Sequence, residues 1–173
     1  VGHAAAPCSP PVKRAMIDWW GPVIHEYYGS TEIGNVTCLD SAEWLAHPGS
    51  VGRAMPDTDI RVVDEDGIEV PAGTVGEILA KRRNAGDFTY HNDPEKRAAA
   101  EKDGLLAPGD IGYLDEEGYL YLCDRKSDMI LSGGANIYPA EIEAILAELP
   151  AIAESAVVAL PDARWGEVGR VYV

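Results

Sequence analysis

The stretch from Pro108 to Leu149, PGDIGYLDEEGYLYLCDRKSDMILSGGANIYPAEIEAILAEL, constrains the fold of this chain more than any other. Asp115-Glu116-Glu117-Gly118 is turn chemistry between two runs of alternating aromatic and aliphatic residues, 111–114 and 119–122. This predicts a hairpin with Asp110 at its mouth. Residues 124–128 (DRKSD) then interrupt with charge, too briefly for a disordered tail and too polar for a buried strand, and so mark a junction. In Ser132-Gly133-Gly134-Ala135-Asn136 the paired glycines permit positive φ and let another molecule approach the backbone. Pro139 suits the first turn of a helix expected to reach Leu149, with Ile142, Ile145, Leu146 and Leu149 as its apolar stripe. Glu141 and Glu143 lie near the positive end of that helix.

A chain of 173 residues that is 46% hydrophobic suits one medium domain or parts of two. Its formal charge of -15 argues against nucleic-acid binding, which needs clustered Lys and Arg. No apolar run approaches the roughly 20 residues of a membrane helix, and the start at Val1 shows no signal-peptide pattern, so a soluble, cytoplasmic piece with no integral membrane segment is expected. Cys8, Cys38 and Cys123 are scattered and read as reduced thiols, and the four histidines form no ligand set, so no structural metal is expected. No oligomeric state follows from the sequence.

Taken in order, residues 10–20 predict a helix with Val12, Ala15, Met16 and Trp19 on one face, ended by Gly21. Residues 22–27 read as a short buried strand that delivers Gly29-Ser30-Thr31-Glu32 into a tight turn. Two hydroxyls and a carboxylate thereby gather at a strand end, where α/β sheets often bind ligands. From Ser50 the pattern turns to strands at 60–63, 68–70 and 75–81, separated by turns at 64–67 and 71–73. Asp93 as N-cap and Pro94 at the first helical position open a predicted surface helix over 95–102. Strands are expected at 155–160 and 168–173. Taken alone, YYGSTE is also compatible with an ordinary turn, Asp110 with a turn residue, and Arg125 with a surface ion pair to Asp124 or Asp128.

GDIGYLDEEGYLYLCDRKSDMILSGGANIYPAEIE and YYGSTE, with GSVGRAMPDTDIRVVDEDGIEVPAGTVGEI between them, resemble the acyl-adenylate-forming (AMP-binding) superfamily of acyl-CoA synthetases, luciferases and peptide-synthetase adenylation domains. The resemblance covers nearly the whole chain. It implies a mixed α/β fold, with residues 1–126 as the C-terminal part of the large AMP-binding domain, including a small β-barrel-like meander. Residues 127–173 would begin the small α+β C-terminal lid domain. It further implies that Tyr28 lies against adenine, that Gly29 lets the backbone approach it, and that Gly2, Ala4 and Glu26 belong to the nucleotide-binding set. Thr31 would contact the α-phosphate and Glu32 would hold Mg²⁺, the two forming the catalytic pair. Asp110 and Arg125 would bind the ribose hydroxyls, Ser127 would be the interdomain hinge, and Ser132, Gly133 and Gly134 would line the CoA tunnel. Two departures stand out. Leu105-Leu106-Ala107-Pro108-Gly109-Asp110 replaces the family's Trp-Phe-x-Thr-Gly-Asp, and Ser127 replaces its Asp or Lys.

The function so implied is that of an ATP-dependent carboxylic acid–CoA ligase with ATP, Mg²⁺ and CoA as cofactors and cosubstrates. Its wording is similar to fatty or aryl acyl-CoA synthetases, of which the fatty-acyl reading is favoured. Loading of a carrier protein and a noncatalytic interaction module remain alternatives. The family's phosphate loop would precede Val1 and its catalytic lysine would follow Val173, so the chain is expected to be an internal piece, inactive by itself. Local positive charge is expected from Arg125, Lys126 or residues outside the chain.

Overall fold

The computed structural model describes residues 1–86 and 88–173. Two compact units result, one of Val1–Pro108 with Gly112–Leu122, the other of Gly109–Ile111 with Cys123–Val173.

In the first unit, β1 (Gly2–His3) leads to α1 (Pro10–Trp20), which returns the chain as β2 (His25–Ser30) parallel to β1. Gly21, at φ 80, ends the helix by donating its N–H to Ile17 O. The face of α1 differs from expectation: Val12, Ala15 and Trp19 are exposed and Met16 is half-buried, whereas Lys13 and Ile17 are buried. Lys13 is drawn inward because its ammonium pairs with Glu26 of β2 and lies 4.9 Å from the Trp44 ring centroid. Ile17 thereby joins Ile24, Leu39 and Trp44 in one core cluster.

β2 pairs with β3 (Gly34–Asp40) in an antiparallel hairpin, followed by α2 (Ser41–Ala46) and β4 (Ser50–Ala54). Neither β3 nor α2 was anticipated, although Asp40-Ser41-Ala42-Glu43 spells a capping box. Asp40 accepts the N–H groups of Ala42 and Glu43, and Glu43 accepts that of Asp40. β2 also starts later than expected and is buried on alternate residues rather than throughout.

β5 (Thr58–Val63) and β6 (Gly76–Arg82) form the next hairpin. Residues 68–70 are not a strand; they contribute one bridge, Val63 to Glu69, because the Asp64 carboxylate takes the N–H groups of Asp66 and Ile68 and ties the segment as a turn. α3 (Pro94–Ala99), N-capped by Asp93, stops short of Lys102. Glu101 and Lys102 instead form β7 (Glu101–Lys102), which turns into β8 (Leu105–Leu106) through Asp103 and Gly104 at φ 50 and 75, the primed-turn geometry that Asp-Gly favours. β9 (Asp110–Leu114) and β10 (Tyr119–Arg125) are the predicted hairpin, with β10 running three residues further than expected.

Among the described residues the sheet order is β1-β2-β3-β4-β10-β9-β6-β8-β7, with β5 on β6. The path has two ends, so the expected barrel-like meander does not close. Tyr28, Ile33, Val36, Ile78, Ala80, Leu106 and Leu120 make the main core between these strands.

In the second unit, β11 (Ile130–Ser132) and β12 (Ala135–Ile137) are joined by Gly133 and Gly134 at φ 58 and 87. The paired glycines are thus a two-residue hairpin turn rather than the centre of a longer loop. α4 (Pro139–Leu146) follows, then β13 (Ala156–Asp162) and β14 (Gly166–Tyr172), giving the order β12-β11-β14-β13. α4 ends before the expected Leu149. Its stripe is only partly covered, with Ile142 and Leu146 half-buried and Ile145 and Leu149 exposed. Glu143 ties the helix to β13 by accepting the Val157 N–H at 2.8 Å. No described helix is long and apolar enough to cross a membrane.

Candidate functional site

The β2–β3 hairpin positions Thr31 and Glu32. Gly29 is required there because a Cβ would lie 1.9 Å from Gly34 O, so the close approach it permits is that of the facing strand. Ile33, 1% exposed, pins the turn from below and leaves Thr31 exposed and Glu32 half-buried. Ser30 Oγ donates to Glu32 Oε2 at 2.7 Å and accepts the Glu32 N–H at 3.2 Å. The Tyr90 hydroxyl donates to the other carboxylate oxygen, Oε1, at 3.1 Å. The Ser30 hydrogen bond holds the Glu32 carboxyl below its ordinary range despite desolvation, helped by its own N–H, Tyr90 and the charge of Lys96.

Positive charge gathers beside this carboxylate. Lys96 Nζ lies 4.3 Å from the Tyr90 ring centroid, and the Arg97 guanidinium stacks over Phe88 at 4.7 Å. A cavity of about 320 Å³ is lined by Glu32, Ile33, Lys81, Arg82, Phe88 and Arg97 among others. The expectation that positive charge must come from Arg125, Lys126 or outside the chain leaves out Lys96, whose charge acts on Glu32, and Lys81, Arg82 and Arg97, which line the same cavity, Arg97 being paired with Glu101 at 2.7 Å. Phe88, Tyr90 and these cations escaped sequence reasoning because they are far from Glu32 along the chain. Burial, with the Glu32 hydrogen bond acting the same way, raises the Tyr90 phenol above its ordinary range.

Of the remaining nucleotide candidates of this unit, Gly2 and Glu26 come together where β1 pairs with β2, Gly2 opposite His25 and His3 opposite Glu26. Tyr28 is buried in the main core. Gly2 and Ala4 are exposed in and just after β1. Glu26 sits near the other end of β2, buried against Lys13, with its Oε1 3.3 Å from His3 Nδ1.

In the second unit, Arg125 Nε meets Asp110 Oδ1 at 3.0 Å. Asp124 meets Arg125 through the backbone, its Oδ1 accepting the Arg125 N–H at 2.8 Å while its Oδ2 accepts the Ala140 N–H at 3.0 Å, and Asp128 Oδ1 accepts the Ser127 hydroxyl at 2.9 Å. The Lys126 N–H donates to Gly109 O at 2.8 Å and closes the mouth of the hairpin. Asp110 is mostly covered while Arg125 keeps 62% of its side chain exposed, so the guanidinium is available to a ligand. Ser127 lies in the turn after β10. Ser132 closes β11, and Gly133 donates its N–H to Trp165 O at 2.8 Å. A Cβ on Gly133 would stand 2.6 Å from the Trp165 ring, whereas one on Gly134 would meet nothing within 4 Å. Trp165 carried no signal of this contact in the sequence.

Residues 1–86 match the AMP-binding enzyme family, and residues 141–173 match the AMP-binding enzyme C-terminal domain. The chain belongs to the AMP-binding enzymes. It is similar to the 2-succinylbenzoate–CoA ligase of Bacillus cereus (strain Q1), 40% identical over 168 residues that make 96% of the chain and 34% of the ligase. The indoleacetate–CoA ligase of Aromatoleum aromaticum is 47% identical over 149 residues, 86% of the chain and 29% of that ligase. Among solved structures, the o-succinylbenzoate coenzyme A synthetase from Bacillus subtilis, in complex with ATP and magnesium ion, superposes with a TM-score of 0.87 at 34% identity, over 99% of the chain and 35% of that protein. This AMP-binding chain therefore spans about a third of the length of the curated relatives it matches. Its mixed α/β architecture is the fold of that family.

Proposed function

We propose that this chain is part of an ATP-dependent carboxylic acid–CoA ligase. In that reaction an acid's carboxylate oxygen attacks the α-phosphorus of ATP, pyrophosphate leaves, and the CoA thiol then displaces AMP to give the thioester. The observation that carries the reading is the Asp110–Arg125 pair, a carboxylate acceptor and an exposed guanidinium donor held 3.0 Å apart, which suits the two hydroxyls of a ribose. The named relatives act on 2-succinylbenzoate and indoleacetate, which favours an aryl acid over the fatty acid expected from the wording of the sequence.

Glu32 supplies a hard anionic oxygen at the end of β2, each of its oxygens already carrying one hydroxyl donor and retaining capacity for another partner. No cluster of three or more His, Cys, Asp or Glu forms among the described residues. A cation here would rest on Glu32, phosphate oxygens and water, the donor set that suits Mg²⁺. When bound, Mg²⁺ neutralises phosphate charge and orients the leaving pyrophosphate. Thr31, exposed beside Glu32, donates to the α-phosphate, while Tyr28, Gly29, Gly2, Ala4 and Glu26 complete the proposed nucleotide set. Residues 1–126 are assigned to the large domain and 127–173 to the lid, with Ser127 as pivot and Ser132, Gly133 and Gly134 flanking the path of CoA.

The test is acid-dependent ATP–pyrophosphate exchange and thioester formation by the complete enzyme with 2-succinylbenzoate, indoleacetate and a fatty acid. Asp110→Ala and Arg125→Ala should each weaken ATP binding by about 1 to 3 kcal/mol, as for hydrogen bonds to charged groups. Absence of exchange with every acid, or unchanged ATP affinity in both variants, would overturn the reading. Thioester formation on a phosphopantetheinyl protein but not on free CoA would redirect it to carrier loading.

A further inference from the structure

We propose that Tyr90 is a positioning residue for Glu32, holding its carboxylate in the orientation that receives the cation accompanying the nucleotide phosphates; this rests on the ligase reading above. Glu32 receives two hydroxyl donors of different origin. Ser30 lies two residues before it, so its bond to Oε2 comes with the turn itself. Tyr90 comes from 58 residues further along and reaches the opposite oxygen, Oε1, at 3.1 Å. A carboxylate held through one oxygen still swivels about its last bond. Donors on both oxygens fix its plane and so fix where the unused lone pairs point.

Tyr90 is itself clamped. Its ring meets Phe88 edge-to-face at 5.3 Å and 89°, and the Lys96 ammonium stands 4.3 Å over it. Its carbonyl accepts the N–H of Asp93, the N-cap of α3, at 3.2 Å. Two contacts thus hold the ring and a third its backbone, behind a polar atom that serves Glu32, the arrangement expected of a group that orients a ligand-binding carboxylate from behind. Lys96 connects the two functions, because it covers the ring and also lies close enough to act electrostatically on Glu32.

In the complete enzyme, Tyr90→Phe deletes the hydroxyl and leaves the ring in its clamp. Calorimetric titration with Mn²⁺ in the presence of a nonhydrolysable ATP analogue reads the cation directly, and its affinity should fall about tenfold or more, the usual consequence of losing a partner behind a metal ligand. Half-saturating Mg²⁺ for pyrophosphate exchange should rise by a similar factor, with AMP binding in metal-free buffer and the melting temperature unchanged. In a Glu32→Gln background the same substitution should add nothing, which keeps the test decisive if the single variant loses stability. Unaltered Mn²⁺ affinity in Tyr90→Phe overturns the proposal, as does an equal loss of metal-free AMP binding, the mark of a purely structural role. An unmutated enzyme with neither cation-dependent nucleotide binding nor acid-dependent exchange overturns the ligase reading, and the role of Tyr90 falls with it. The unmutated enzyme alone thus separates the two failures.

Discussion

Replacing Lys13 with Met should destabilise the first unit severely, and the size of the effect follows from what Lys13 faces. Its side chain is 3% exposed, its ammonium pairs with Glu26, itself 8% exposed, and Trp44 covers it at 4.9 Å. Met preserves most of the stem volume, so the loss is electrostatic: Glu26 is left buried with its main counter-charge gone. Breaking a buried pair from one side costs about 3 to 5 kcal/mol, a large share of the roughly 5 to 15 kcal/mol that holds a domain folded. On a unit of this size the melting temperature should fall by roughly 10 to 20 °C. Removing both charges is a different perturbation. Lys13→Met with Glu26→Leu discards the desolvation cost along with the attraction and should recover most of the loss, because such replacements are often neutral. Urea unfolding followed by tryptophan fluorescence, with Trp44 beneath the pair, measures all four corners of the cycle. A single variant within about 1 kcal/mol of the parent would refute the reasoning, as would a double variant no better than Lys13→Met alone. The same cycle bears on the proposed nucleotide role of Glu26, whose contribution to stability must be removed before any loss of nucleotide affinity is read from its mutation.

Gly133→Ala should destabilise the second unit by about 1 to 3 kcal/mol and alter Trp165 fluorescence, since its Cβ meets the ring at 2.6 Å while φ is 58. Gly134→Ala meets only the strain of its positive φ and should cost roughly 1 kcal/mol; equal melting shifts for the two would refute the distinction. Burial, with Asp115 close by, pushes the Tyr121 phenol up from 10.0 to about 12. Because the folded value is the higher, the neutral phenol stabilises fully below pH 10 and that contribution is lost between pH 10 and about 12. Tyr121→Phe should flatten the alkaline fall in stability relative to the parent, and an unchanged slope in that window would count against it.

How far each feature could be read in advance depends on whether its cause is local. The hairpin tips were legible because their residues carry the conformation themselves: Asp115 accepts the N–H groups of Glu117 and Tyr119, and Gly118 takes φ 80. Asp64 and Gly67 repeat the device. Asp110 and Arg125 enter as a pair through the resemblance, and the hairpin, whose local turn returns its far end to its mouth, sets them 3.0 Å apart. The buried face of α1 was not. Counting apolar residues assigns every lysine to water, and only a partner on another strand, Glu26, reverses that assignment for Lys13. α4 errs the other way, because an apolar stripe requires a surface to cover it and β13 covers only part of this one. The Glu32 site divides along the same line. Ser30, Thr31 and Glu32 are neighbours in a turn and could be read as a group, whereas Tyr90 reaches Glu32 only after β5, β6 and their connections have closed the distance. No short-range pattern encodes that closure. A mutational scan of the Glu32 site guided by sequence neighbours would therefore find Ser30 and miss Tyr90, though both place a hydroxyl on the same carboxylate.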